Sequence, residues 1–175
     1  MKKSIAFLLA ALMLALAGCA PGGGPSGESE PPARVVDYKI DVPEGFEPTE
    51  AEGLDACWSH EDGSSINLTI TDKDEVTDRS FQDASDGLLR DTLEKVMKNA
   101  YGSDLEFTDR FFTQNDVSGF TAYQYSYALE LPGWSMTQLI VAINADRTYT
   151  FTFTDTGGWI GAFEEAAAGI QLITE

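Results

Sequence analysis

The segment between residues 105 and 154 constrains the fold of this chain more than any other. Four stretches there have the composition of β-strands, and pairs of turn-forming residues separate the stretches. The last stretch alternates threonine with Tyr149, Phe151 and Phe153 without a break. A period of two is the pattern of β-strands, and β-branched and aromatic side chains favour a pleated surface. We therefore expect four consecutive antiparallel strands.

The turn residues set the bounds of these four strands. The strands are predicted at Leu105–Thr113, Val117–Leu129, Trp134–Asn144 and Thr148–Thr154. The predicted turns are Asn115-Asp116, Pro132-Gly133 and Ala145-Asp146. The third strand is almost continuously apolar, which is typical of a central strand buried on both faces.

Shorter alternating segments precede this region. Tyr38, Ile40 and Val42 alternate with charged residues and predict a first strand, which Pro43-Glu44-Gly45 would end. A second strand is predicted at Ala56–Ser59. A third, through Ile66, Leu68 and Ile70, would complete a hairpin with it.

Two segments have helical spacing. Ser80–Ala100 would be a long helix, with Ser80 and Asp83 resembling a capping box and Gly102 as its end. Its predicted apolar face is formed by Phe81, Leu88, Leu89, Thr92, Leu93, Val96 and Met97. The second helix is predicted at Gly158–Leu172. Its predicted sheet-facing residues are Trp159, Ile160, Phe163, Ala167 and Ile170.

The N-terminus predicts export and lipid attachment. Lys2 and Lys3 precede an apolar run from Ile5 to Leu16, and Leu16-Ala17-Gly18-Cys19 closes the run. This order is typical of a secretion signal, and its end resembles a bacterial lipobox, in which the cysteine takes a diacylglycerol. A membrane-spanning helix needs roughly 20 apolar residues, so the run is too short to be one. We expect lipidation at Cys19 on the extracytoplasmic face of the cell membrane, or of the outer membrane in a two-membrane cell.

Three regions follow from this assignment. Residues 1–18 would be the signal peptide, 19–34 the lipidated cysteine and a flexible linker, and 35–175 a single domain. The linker is rich in Gly, Pro, Ser and Glu and lacks apolar periodicity. Its root-mean-square reach would be about 20 Å, from roughly 5–6 Å times the square root of its length.

The charge limits the classes of partner. The chain carries 29 acidic and 11 basic residues, a net charge of −18, and loss of Lys2 and Lys3 makes the mature protein more acidic still. Phosphate contacts need clustered Lys and Arg, so nucleic-acid binding is excluded. Anionic lipid headgroups would also repel the domain, which leaves the lipid as its hold on the membrane. The acidity favours solubility, with recruitment of a cationic partner or divalent ions as the alternative.

The residues that could carry chemistry are few. Cys57 has no disulfide partner once Cys19 is lipidated, and we expect it to be buried in a strand. His60 is the only histidine. A zinc site would need more ligands than Cys57 and His60, and their odd separation points them to opposite faces of a strand. A triad with Ser59, Ser64 or Ser65 lacks the Gly-x-Ser-x-Gly elbow.

The acidic stretch from Asp72 to Asp78 begins like a calcium-binding EF-hand loop. Val76 and Thr77 stand where that loop needs a third ligand and glycine, so a solvated loop is favoured. No metal or other cofactor is therefore predicted.

Aromatic residues could form either core or a ligand groove. Those that could line such a groove are Tyr123, Tyr125, Tyr127, Trp58, Trp134 and Trp159. Strand and helix spacing favours the core. Trp134 follows the Pro132-Gly133 turn, so it is the one we expect to be partly exposed and to contact a partner.

The order of elements and several short motifs resemble the PsbP-like fold. Asp41-Val42-Pro43-Glu44-Gly45-Phe46 is similar to the family's opening strand end, and Gly119-Phe120-Thr121-Ala122-Tyr123 to a later strand. The resemblance extends to Asn67 in the second strand, the long helix and the closing strand and helix, over residues 35–175. It implies an α+β sandwich, an antiparallel sheet flanked by helices. The family includes the photosystem II extrinsic subunit, a Ran-binding nuclear import factor and DcrB-like bacterial lipoproteins.

The expected function is binding or scaffolding of an unidentified protein or ligand at the cell envelope, without catalysis. An envelope hydrolase or accessory enzyme is the first alternative, and a pocket joining carboxylates with His60 would favour it. A lipid or small-molecule carrier is the second, and a large apolar cavity between helix and sheet would reveal it.

Overall fold

The computed structural model describes residues 33–73 and 85–175, which contain two helices and nine strands. The strands are β1 (Val35–Lys39), β2 (Glu47–Pro48), β3 (Ala56–Ser59), β4 (Ser65–Asp72), β5 (Glu106–Val117), β6 (Phe120–Leu131), β7 (Trp134–Asn144), β8 (Arg147–Asp155) and β9 (Gln171–Thr174). The helices are α1 (Asp86–Tyr101) and α2 (Ile160–Ala168).

Seven strands form one antiparallel sheet in the order β2-β3-β4-β8-β7-β6-β5. The four strands from β5 to β8 follow one another through tight turns, and β4 then pairs with β8 along eight residues. β1 and β9 form a separate antiparallel ribbon. The meander and the α+β class predicted from the sequence are confirmed.

One face of the sheet, here called the α2 face, is closed by α2 and the ribbon. Phe163 of α2 is fully buried and its ring lies 5.4 Å from that of Phe153. Val35 and Leu172 close the ribbon side of the same core. The strands contribute alternate apolar residues: Ile66, Leu68, Leu139, Val141, Ile143, Tyr149, Phe151 and Phe153. Of the residues predicted to face the sheet, Phe163, Ala167 and Ile170 are buried, and Trp159 and Ile160 are partly buried.

The opposite face, the α1 face, is divided. Over β5, β6 and β7 it carries a second apolar cluster in which Leu93 and Met97 of α1 pack on Tyr125, Tyr127, Leu129, Met136 and Ile140. The positions on β3, β4 and β8 of this face are small and polar. They are Cys57, Ser59, Ser65, Asn67, Thr69, Thr71, Thr148, Thr150, Thr152 and Thr154. With a helix on each face, the domain is the predicted α/β/α sandwich.

The start of the long helix differs from the prediction. α1 begins at Asp86, and the hydroxyl of Ser85 caps it by accepting the N–H of Leu88. The predicted cap at Ser80 and the predicted core residue Phe81 lie outside the described residues. Leu88 was expected in the core but is 52% exposed. Gly102 ends the helix as predicted, with φ of +107°.

The C-terminus corrects a second boundary. The predicted helix Gly158–Leu172 ends at Ala168, and the chain becomes strand β9 at Gln171. Leu172 and Ile170 keep the apolar spacing of a helix. The backbone of β9 nevertheless forms its hydrogen bonds with β1, at the other end of the chain. β1 in turn lies three residues earlier than predicted, because its register follows β9.

The turn between β5 and β6 lies at Ser118-Gly119, three residues beyond the predicted turn. Both residues have positive φ, +56° and +86°, which suits the two-residue hairpin turns that match the twist of the strands. Asp116 accepts the N–H of Gly119 and fixes the turn. Asn115 and Asp116 are therefore strand residues, and β5 is twelve residues long.

β5 forms one edge of the sheet. A β-bulge interrupts its pairing with β6 between Asp109 and Phe111. Arg110, the bulged residue, reaches across to Glu164 of α2 with 3.1 Å between Nη2 and Oε1. The bulge thus fastens the edge strand to the helix on the α2 face.

Candidate functional site

His60 lies in an aromatic enclosure at the end of β3. Its ring is 4.8 Å from the ring of Trp159 and 5.3 Å from that of Phe46. The Cδ2–Nε2 edge faces Gly45, where an added Cβ would be 3.3 Å from Cδ2 and 3.5 Å from Nε2. Glycine is required at this turn, because φ of Gly45 is +93° as well.

Asp62 ties His60 to the start of α2. One carboxylate oxygen lies 3.1 Å from Nδ1 of His60 and accepts the backbone N–H of Ser64 at 2.7 Å. The other accepts the indole N–H of Trp159 at 2.8 Å. Partial burial raises the pKa of Asp62, but these hydrogen bonds outweigh it and lower the pKa to about 2. We call His60, Asp62 and Trp159 the clasp.

Gly157 lets the chain close around the clasp. A Cβ at this position would overlap the carboxylate of Asp62. Thr156 adds a hydrogen bond from its hydroxyl to the carbonyl of Asp62, and its N–H donates to the hydroxyl of Ser64. The turn between β3 and β4 is therefore joined to the loop between β8 and α2.

The three serines near His60 in sequence have other roles. The hydroxyl of Ser59 bonds that of Thr49, and Ser64 bonds Thr156. The Ser65 hydroxyl is buried on the α1 face. His60 lies on the α2 face, where Nδ1 is engaged by Asp62 and the Cδ2–Nε2 edge faces Gly45. The geometry is that of a structural contact between three loops.

Asp155 fills the N-terminus of α2. Its Oδ1 accepts the N–H groups of Gly157, Gly158 and Trp159, and its Oδ2 accepts that of Ile160. The side chain is 6% exposed. The first N–H groups of a helix attract anions, and here the protein's own carboxylate accepts those of Trp159 and Ile160 together with two N–H groups of the preceding loop. The sequence analysis did not predict this role of Asp155. The pattern Asp-x-Gly-Gly directly before an apolar run could have indicated it.

Cys57 is buried, as predicted. Its thiol donates to Oδ1 of Asn67 at 3.0 Å across the β3–β4 pair, and burial raises the pKa of the thiol. Cys57 lies on the α1 face and His60 on the α2 face, which agrees with the prediction that the two side chains point to opposite faces. Within residues 33–73 and 85–175, no group of three His, Cys, Asp or Glu is placed to hold a metal ion.

Trp134 begins β7 and is half-buried. Its ring stacks on Tyr101, the last residue of α1, with centroids 5.6 Å apart and planes at 23°. Burial also raises the pKa of Tyr101. Trp134 therefore holds the end of α1 against the sheet while one part of its ring remains accessible. The prediction of partial exposure is confirmed, although Trp58 and Trp159 are half-buried as well.

The tyrosines of β6 belong to the core and to two polar networks. Tyr127 donates to Oε1 of Gln138, and Nε2 of Gln138 donates to Thr154 at 2.9 Å, so a buried chain crosses three strands. Tyr125 donates to Asp109. Burial raises the pKa of both tyrosines. At Tyr125 the hydrogen bond to Asp109 raises the pKa further. Tyr123 is partly exposed and stacks on Phe112.

A shallow cavity of about 220 Å³ opens beside the clasp. Its lining combines hydroxyls and a carboxylate with one apolar side chain: Ser135, Met136, Thr137, Asp155, Thr156 and Gly158. It is small and polar.

Several predicted features lie outside the described residues. They are Cys19, residues 20–32 of the linker, and Asp74–Asp78 of the acidic stretch. Asp72 is described: it ends β4 opposite Arg147. Across the described ranges, no helix combines the length and apolarity needed to cross a membrane.

Comparison with solved structures identifies the fold. The chain is similar to cyanobacterial PsbP (CyanoP) from Synechocystis sp. PCC 6803, with a TM-score of 0.60 and 14% identity over 88% of this chain and 100% of that one. The domain has a PsbP-like fold. At this identity the likeness concerns the fold alone.

A weaker likeness is found to LpqN of Mycobacterium tuberculosis, a protein involved in cell envelope biogenesis. Its TM-score is 0.47 and its identity 13%, over 79% of this chain and 83% of that one. No family model and no curated protein matches the sequence.

Proposed function

We propose that this protein is an extracytoplasmic lipoprotein, anchored through Cys19, whose PsbP-like domain binds or scaffolds an envelope component without catalysis. The anchor is supported by the short apolar run closed by Leu16-Ala17-Gly18-Cys19. The Gly- and Pro-rich residues that follow would give the domain a tether.

The observation that carries the non-catalytic part is the engagement of His60. A general base must reach a substrate proton with a ring nitrogen. Nδ1 of His60 lies against Asp62, and the edge with Nε2 lies against Gly45. Asp155 is likewise occupied by four backbone N–H groups. The polar groups best suited to catalysis thus stabilise loops.

The proposed contact surface surrounds Trp134. Partly exposed tryptophans are enriched at interface hot spots because they combine a large apolar area with an N–H donor. Pro132 and Gly133 beside it are exposed. Leu131 adds partly buried apolar surface next to the indole.

Site-specific crosslinking in intact cells tests this contact. A photoreactive amino acid at exposed Pro132 should give a crosslinked product, while the same group at Asp116, exposed on β5 beside the start of β6, should not. Trp134→Ala should weaken capture by on the order of 2 kcal/mol, the loss typical of a hot spot.

The matched control separates contact from packing. Tyr101→Ala removes the stacking partner of Trp134 from the helix side and leaves the indole in place. Capture should survive Tyr101→Ala. Equal loss in both variants would mean that Trp134 acts only by holding α1, and equal crosslinking at Asp116 would reject the surface. Turnover of an envelope substrate by the purified protein, abolished by His60→Ala, would reject the non-catalytic proposal.

A further inference from the structure

The outer face of the β1–β9 ribbon exposes two large apolar side chains. Val36 is 51% exposed and Ile173 is 46% exposed. Leu88 on α1, at 52%, is the other large apolar residue of comparable exposure in the part of the chain that is described. Two of these three residues thus share one small ribbon.

The register makes Val36 and Ile173 neighbours. Val35 pairs with Thr174 and Asp37 pairs with Ile173, and a bulge places Val36 as the additional residue between these pairs. A bulge of this kind changes which side chains a strand turns outward. Val36 therefore lies beside Ile173.

The inner face of the ribbon fixes this orientation. Val35 is 4% exposed and Leu172 is 5% exposed, and both belong to the core of the α2 face. A one-residue slip would turn these side chains to solvent. The exposure of Val36 and Ile173 is therefore a stable property of the ribbon.

Charge distinguishes the ribbon from the β2–β3 edge of the large sheet. Arg34 and Lys39 stand at the two ends of β1, and Arg34 pairs with Glu175 at 3.1 Å. Residues 40–72, which include β2 and β3 at the edge of the large sheet, contain nine acidic residues and no Lys or Arg. Anionic headgroups repel such an acidic edge more strongly than the ribbon.

The chain enters the domain at this ribbon. Residues 19–34 lead directly into β1, and the flexible linker that the sequence predicts there would have a reach of about 20 Å. We infer that the outer face of the ribbon, centred on Val36 and Ile173, rests on the lipid surface. This inference depends on the proposed anchoring through Cys19. A tether converts a weak apolar contact into an intramolecular one with a high effective concentration.

Fluorescence in vesicles tests the contact. The lipidated full chain would be recovered from membranes and reconstituted in phosphatidylcholine vesicles, in a Cys57→Ala background. Ile173→Cys would carry a polarity-sensitive nitrobenzoxadiazole label. Emission at this position should increase by about twofold relative to Leu88→Cys, since the headgroup–acyl boundary excludes water. Nitroxides on the lipid chains should quench only the label at position 173.

The possible results distinguish failure of the ribbon contact from failure of the lipid anchor on which it depends. Protein that fails to float with the vesicles contradicts the lipid anchor, and the inference falls with it. Protein that floats but shows equal emission at positions 173 and 88 overturns the ribbon contact alone. Protection at position 173 that disappears when the protein is diluted in excess lipid would indicate a second copy of the chain and would overturn the contact as well. Circular dichroism of each labelled variant verifies the fold.

Discussion

The two helices cover opposite faces of one sheet, yet they are held there by different means. α2 is nine residues long, has Phe163, Ala166 and Ala167 fully packed, and is capped by the buried carboxylate of Asp155. α1 is sixteen residues long and buries a narrow stripe around Leu93 and Met97.

Ion pairs do not account for this difference. Each helix has an ion pair to β5 that is partly open to solvent: Arg90 of α1 lies 3.1 Å from Asp109, and Glu164 of α2 lies 3.1 Å from Arg110. Exposed pairs of this kind contribute little to stability. The comparison teaches that α2 is part of the central core, whereas α1 is a cover with a weaker attachment. Regions of the second kind open locally at lower free energy.

The largest effect should come from removing a core side chain on the α2 face. Phe163→Ala should lower the free energy of unfolding by about 4 kcal/mol, because the lost ring leaves a cavity between α2 and β8. Met97→Ala on α1 should cost about 2–3 kcal/mol, since its partly exposed neighbours can relax into the space. Urea denaturation measures both. Equal losses would remove the distinction between the helices.

Asp155→Ala should cause the next largest loss in the free energy of unfolding. Four N–H groups at the start of α2 would lose their acceptor, and the expected cost is about 2–3 kcal/mol for a buried charge-assisted cap. Asp116→Ala is the matched control, since it removes a single bond to Gly119 in an exposed turn and should cost less than about 1 kcal/mol. If the two substitutions cost the same, the buried cap is not what holds α2.

Acid should weaken the clasp. The pKa of Asp62 is about 2 in the folded protein against 3.8 as the ordinary value. A carboxyl whose pKa is lowered by folding contributes stability above its unfolded pKa and loses it as the pH falls through the folded value. The loss should therefore occur between about pH 4 and pH 2 and amount to about 1 kcal/mol, reduced by the partial exposure of the side chain.

Comparison of the wild type with Asp62→Asn checks this window. The variant should show a smaller change in stability between about pH 4 and pH 2 than the wild type. An identical acid profile in both proteins would rule out Asp62 as the titrating group. The change in tryptophan fluorescence over the same pH range provides a second measurement, because the indole of Trp159 donates to Asp62.

The smallest effect should come from the ion pairs of α1. Arg90→Ala should lower global stability by less than about 0.5 kcal/mol. Amide hydrogen exchange within α1 should nevertheless become faster, while exchange within α2 stays the same. Arg34→Ala, which removes a terminal ion pair on the ribbon, should leave exchange in α1 unchanged. Equal acceleration in α2 would show that the helices open together.

Local patterns allowed much of the sheet to be predicted. β7 and β3 have the predicted bounds, since strong turn residues flank the apolar run Trp134–Asn144 and the short run Ala56–Ser59 follows a polar loop. β9 was missed because Leu172 continues a helical spacing, and its pairing with β1 joins residues at opposite ends of the chain. β2 has only two residues, one of them proline, and offers no periodicity.

The site was less predictable than the fold. The burial of Cys57 and its divergence from His60 follow from strand alternation, a local rule. The clasp does not follow from strand alternation, because the packing of α2 on the sheet brings His60 and Trp159 together. The acceptor role of Asp155 depends on the path of the loop after β8. The chain from Tyr127 through Gln138 to Thr154 depends on strand register, which alternation alone leaves undetermined.

The bulge in β5 affects whether two molecules of the protein can pair edge to edge at high concentration. An edge strand of twelve residues with free N–H and C=O groups is a template on which another protein molecule could add a strand. The bulge at Arg110 breaks the flat edge near its middle, and the exposed carboxylates of Glu106 and Asp116 lie on either side of it. A second molecule approaching this edge would meet like charges and an interrupted ladder. We therefore expect concentrated solutions of the domain to resist polymerisation through β5, the longest edge strand among the described residues.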